Sequence, residues 1–209
     1  MPEVNGIGYN PIDNYLYAAQ EKNVVRVSAD GRVEIVAKLP FKPNMGDFDD
    51  KGVYYCSKGG RNWATIDLNP KSSTYKQVQS GESTFESEGT WTYAADWAHT
   101  PVDPDHLYGV GVRKGNGPPT LVKWSIRDKK WVKVWEARNL QHGHTFGAVM
   151  ATSDGVIYGL ENMSGNIVRF DLYNITRTSE VKGGPTSRSK PKRNDGTRCI
   201  RERDTERPR

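Results

Sequence analysis

"NGIGYNPIDNYLYAA" (Asn5–Ala19) reads as two short strands around a tight turn, and its later echoes decide the fold. Ile7-Gly-Tyr9 and Leu16-Tyr17 fit the period-two alternation of half-buried strands. Between them, Pro11 presets φ and Asp13 can bond the local backbone, which is turn chemistry. Three later pairs repeat Leu16-Tyr17: Val53-Tyr54, Leu107-Tyr108 and Ile157-Tyr158. Each follows a first strand (Met45–Phe48, Ala94–Trp97, Phe146–Val149) and a turn rich in Asp, Gly or Pro. Each is followed by a third strand: Val24–Val27, Trp63–Ile66, Leu121–Trp124 and Ile167–Phe170. A fourth strand is expected at Val33–Val36, Tyr75–Val78, Trp131–Val134 and, more weakly, Thr178–Val181.

Four strands in up-and-down order, repeated four times, predict an all-β propeller with about four visible blades over residues 1–181. A sandwich of similar strands would not require the repeat. Residues 182–209 lose the alternation and are dominated by Gly, Pro, Ser and charge, so they read as a basic, disordered tail.

Composition narrows the function classes. Ten of the 30 Lys and Arg and four of the 25 Asp and Glu fall in 182–209, which leaves 20 basic against 21 acidic residues in 1–181. The positive charge therefore belongs to the tail, and no nucleic-acid partner is expected, since a nucleic-acid footprint needs a basic folded face. With a mean hydropathy of -0.76 and no long apolar run, no membrane span is expected. The first residues have neither the charged nor the apolar region of a signal peptide. Cys56 and Cys199 fit no zinc or redox spacing; pairing and separate free thiols are both open.

The combination of Asn5–Tyr17, Val25–Gly31, Asn44–Asp49, Ile66–Pro70, Ala95–Trp97, Leu107–Val110 and Ser164–Phe170 resembles the domain of unknown function 6923 family. Asn194–Cys199 is similar to that family's closing Asn-Asp-Gly-x-Arg-Cys segment. The resemblance implies a propeller-like domain in a secreted, mainly fungal and sometimes bacterial, extracellular protein. It implies no activity. It also implies a further blade-like segment ahead of Asn5, so an incomplete ring is expected.

Several residues could carry chemistry. Aligning the first strands puts Gly8, Asp47, Asp96 and Ala148 at one level, where Asp47 and Asp96 with Asn44 can share a hard cation such as Ca²⁺. That arrangement resembles the calcium-dependent lactonase and phosphotriesterase propellers, hydrolases that polarise substrate with a channel metal. The rival reading is structural: each Asp accepts from backbone N–H groups of the adjoining blade. His99, His142 and His144 form a second candidate group, either binding or metal-ligating if their loops converge. Among the tryptophans, Trp63, Trp91, Trp124, Trp131 and Trp135 offer stacking faces for a glycan, although the alternation places Trp124, Trp131 and Trp135 between blades. Two sequons, at Asn162 and Asn174, would accept glycans in a secreted chain. With no nucleophile elbow or phosphate loop, the reading leans away from an enzyme and towards a non-catalytic interaction module for a protein or glycan, with no required cofactor.

Overall fold

The computed structural model describes residues 3–86, 94–112, 116–183 and 195–204. Blade 1 comprises β1 (Val4–Asn10), β2 (Tyr15–Gln20), β3 (Asn23–Val27) and β4 (Val33–Lys38). Blade 2 comprises β5 (Met45–Phe48), β6 (Val53–Lys58), β7 (Asn62–Asp67) and β8 (Val78–Glu82). A two-residue strand, β9 (Thr84–Phe85), crosses to blade 3 and pairs in parallel with its outer edge. Blade 3 itself is β10 (Ala94–His99), β11 (His106–Gly111), β12 (Thr120–Ser125) and β13 (Lys130–Glu136). Blade 4 is β14 (Phe146–Ala151), β15 (Val156–Glu161), β16 (Ile167–Asp171) and β17 (Ser179–Val181). Within each blade the strands pair antiparallel in chain order. The four blades stand in a ring as a β-propeller, with β1 beside β5, β5 beside β10 and β10 beside β14.

The turns follow from local chemistry. In blade 2, Asp49 Oδ1 accepts from the N–H groups of Lys51 (3.0 Å) and Val53 (2.9 Å), and Gly52 supplies a φ of 86° that a side chain would resist. The same aspartates serve the repeat a second time. Tyr17 Oη donates to Asp13 (2.6 Å), Tyr55 Oη to Asp49 (3.1 Å) and Tyr108 Oη to Asp103 (2.5 Å). Tyr55, not Tyr54, is therefore the counterpart of Tyr17. Tyr54 faces the other side of the sheet and donates to the Gly6 carbonyl of blade 1. At that crossing Gly46 must lack a Cβ, because one would stand 2.5 Å from the Gly6 oxygen. One strand also starts later than expected. Lys76 takes a φ of 63°, so Tyr75 and Lys76 lie in a turn and β8 begins at Val78.

Three hydrophobic clusters glue the blades. Between blades 1 and 2 lie Tyr17, Val24, Phe48, Tyr54 and Ile66. Between blades 2 and 3, Met45 and Tyr55 meet Trp97, Trp124 and Trp131. These three indoles are fully buried, with Trp97 and Trp124 ring centroids 5.1 Å apart. Between blades 3 and 4 lie Tyr108, Val110, Leu121, Phe146 and Phe170. No such cluster joins blade 4 to blade 1 among the described residues.

That gap is occupied by residues 195–204, which the composition had assigned to a disordered tail. Asp195 Oδ2 accepts from Ile7 N–H of β1 at 3.1 Å, and Gly196 lies against Ala148 and Met150 of β14. Arg201 donates to the Pro11 carbonyl, and Ser153 N–H donates to the Glu202 carbonyl. Finally Asp204 accepts from Tyr158 Oη at 2.7 Å, completing in blade 4 the tyrosine–aspartate contact the other blades make internally. It also receives the buried Arg169 guanidinium. A few specific contacts outweigh the polar composition here. The expected disorder does not hold for this segment; residues 184–194 and 205–209 of the same tail lie outside the described residues.

Candidate functional site

The first strands begin together at one end of the ring and leave a cavity of about 530 Å³ at the mouth of the central channel. All four blades contribute to its wall, through Asn5, Asn44, Ala95 and Thr145 near the strand starts and Lys58 and Arg61 from the β6–β7 hairpin. Asn44 sets the geometry: its Nδ2 donates to the Ala95 carbonyl of blade 3 (2.9 Å), and its Oδ1 accepts from Gly59 N–H (2.7 Å). Asn162 does similar work in blade 4, accepting from Gly147 N–H at 2.9 Å. Lys42, also on the wall, is neutralised by Glu3 and by Glu21 at 3.0 Å.

The channel carboxylates lie deeper. Asp47 Oδ2 accepts from His99 N–H, and Asp96 Oδ2 from Val149 N–H, both at 2.8 Å. Each bond runs from one blade to the next, and Asp195 to Ile7 continues the series. Asp47 and Asp96 are not level. Tyr55 stands opposite Asp47, whereas its counterpart Tyr108 stands opposite Ala98, and β10 is bulged between Ala94 and Trp97. Asp96 thus lies two residues nearer the strand start than the position matching Asp47. Among the described residues, no group of three or more His, Cys, Asp or Glu side chains lies close enough to hold a metal ion.

Burial dominates the electrostatics. It pushes the Asp47 carboxyl up to about 7 against the hydrogen bond from His99, with the Asp195 charge adding to the rise. Asp195 itself is pushed up to about 6 by burial. Asp96 is raised well above the usual range by burial and then by Asp195, and its Oδ1 has no hydrogen-bond partner among the described residues. Neutral carboxyls in the channel are therefore favoured up to near-neutral pH.

The histidines are divided between the two ends of the first strands. His99 is buried at the far end of β10, where its Nε2 meets the Pro104 carbonyl at 3.3 Å and burial lowers its pKa. His142 and His144 are exposed just before β14, at the mouth end. The tryptophans are mostly structural. Trp124 and Trp131 are buried, Trp63 lies beneath the Lys129 ammonium at 4.6 Å, and Trp135 alone of the described five is exposed. Trp91 lies outside the described residues. Cys56, buried, and Cys199 are free thiols.

A family model described as "Repeat of unknown function (DUF6923)" matches residues 2–201. The chain belongs to this family. No curated protein matches the sequence. The propeller architecture of this chain is shared with solved structures of low identity. Hydrazine synthase from Kuenenia stuttgartiensis superposes with a TM-score of 0.58 at 11% identity, covering 87% of this chain and 50% of that one. Virginiamycin B lyase from Staphylococcus aureus gives 0.54 at 13%, covering 88% and 56%. A gluconolactonase from Xanthomonas campestris gives 0.54 at 11%, covering 83% and 59%. This member of the family spans half to three-fifths of those chains, and the likeness shows the fold alone.

Proposed function

We propose that this protein is a non-catalytic binding module that holds a small ligand in the cavity at the channel mouth. The observation that carries this reading is the cavity itself: a concave site of ligand size, on a stiff scaffold, walled by all four blades. Its wall offers amides and cations rather than a nucleophile with a base beside it. A thermal-shift screen of sugars, sugar acids, amino acids and nucleotides is expected to find a compound that stabilises the protein. Ala95→Trp, which fills the mouth, is expected to abolish that shift, and NMR to recover the compound unchanged. Stabilisation that survives Ala95→Trp would move the site elsewhere. Consumption of the compound would make the protein an enzyme.

The proposal includes a secreted location, following the family resemblance. Of the two sequons, Asn162 is buried with its amide oxygen engaged, whereas Asn174 is exposed. Expression through a eukaryotic secretory pathway is expected to add one glycan, at Asn174, removed by Asn174→Gln. A glycan found at Asn162 by mass spectrometry would contradict this placement.

A further inference from the structure

The cavity wall has a charge pattern that selects among ligands, and the inference drawn from it rests on the binding reading above. The body of the protein, residues 1–181, carries 20 basic and 21 acidic residues, yet at the mouth two cations stand without an ion-pair partner among the described residues. Lys58 and Arg61 have no carboxylate partner among the described residues, whereas Lys42 beside them is neutralised twice. Both belong to the β6–β7 hairpin, whose turn is anchored by Asn44 through Gly59. Arg61 lies over the Phe85 ring at 5.7 Å, which limits its swing without consuming its donors. Around these cations stand amide donors that the fold leaves unused. Among the described residues, the Nδ2 groups of Asn5 and Asn162 and the whole amide of Asn62 make no hydrogen bond, although all three residues line the cavity.

We infer that the cavity binds a small, hydroxyl-rich anion, such as a sugar acid or a sugar phosphate, with Lys58 and Arg61 as its counter-charges and the asparagine amides as partners for its hydroxyls. A guanidinium fork matches a carboxylate or phosphate in two parallel hydrogen bonds, and an ammonium adds a mobile point charge. Neutral sugars would use the amides only. The site is open enough for salt to weaken the charged part of the interaction.

The test is isothermal titration with galacturonate, glucose 6-phosphate and glucose, on the whole chain. Lys58→Gln/Arg61→Gln is compared with the wild type and with Lys133→Gln, a charge change on the outer strand of blade 3. Binding of either anion at least about tenfold tighter than glucose, lost in the double variant and kept in Lys133→Gln, supports the inference. The preferred anion then tells carboxylate from phosphate. Equal binding of glucose and the anions, or anion binding unchanged in the double variant, would overturn it. If a neutral ligand binds and Ala95→Trp blocks it, the anion inference fails while the binding reading stands. If neither these probes nor the wider screen bind, both fail. Circular dichroism and the melting temperature check that the double variant remains folded.

Discussion

Replacing Asp204 with Ala is expected to lower the stability of the protein by about 3 kcal/mol, although the residue stands only five positions from the end of the chain. Asp204 takes both the Nε (3.2 Å) and Nη2 donors of Arg169, whose side chain is 9% exposed, and the hydroxyl of Tyr158. Removing it leaves a guanidinium buried without its main counter-charge, which costs more than the pair itself contributes. Asp171, 3.8 Å from the same Nη2, keeps the loss from being larger. For a chain of this size the melting temperature should fall by about 9 °C. Asp204→Asn, which keeps a hydrogen-bonding oxygen but not the charge, should fall between. The measurement is thermal unfolding followed by circular dichroism. A melting temperature unchanged to within about 1 °C would mean that residues 195–204 do not close blade 4 onto blade 1.

The same segment marks the boundary of what the sequence makes legible. The blades could be read because their signals are local: alternation within about five residues, and Asp, Gly or Pro in the turns between strands. The closing segment is held by Asp195, Asp204 and the buried Ile200, and a composition average over 182–209 dilutes three residues among charges. A signal existed in Asn194-Asp-Gly-Thr197, which resembles the family's closing motif and repeats the small-residue and Asp chemistry of Gly46-Asp47. The bulge in β10 is a different case. Asp96 lies within it, and nothing in Ala94-Ala-Asp-Trp97 announces it. Tyr54-Tyr55 was ambiguous for a similar reason, since adjacent tyrosines point to opposite faces and only the register says which one meets Asp49. The mouth cavity was least legible. Its wall runs from Glu3 to Asn162, and Lys58 and Arg61 look in sequence like ordinary hairpin charges.

Asp47→Asn is expected to stabilise the protein by about 2 kcal/mol at about pH 8 and to change little at about pH 4. The folded carboxyl is pushed from 3.8 up to about 7, chiefly by burial. Between those values the folded state holds a proton that the unfolded state has released, so stability falls as pH rises through the window and levels off above it. Complete linkage over such a shift would be worth ~4 kcal/mol. Asp47 keeps some exposure to the channel, and the smaller figure allows for that screening. Asparagine resembles the protonated acid and retains an oxygen for His99 N–H, so it removes the penalty of ionisation without breaking the bond between blades 2 and 3. Asp195, raised to about 6, adds a loss of the same sign between about pH 4 and 6, common to wild type and variant, and chemical denaturation at several pH values separates the two. A variant less stable than wild type at pH 8 would overturn this account, because it would mean that an ionised Asp47 is compensated. Millimolar Ca²⁺ then decides the reason. A calcium-dependent rise in melting temperature in the wild type, absent from Asp47→Asn, would identify a cation as the compensating charge and return the channel to the metal-dependent chemistry that its carboxylates first suggested.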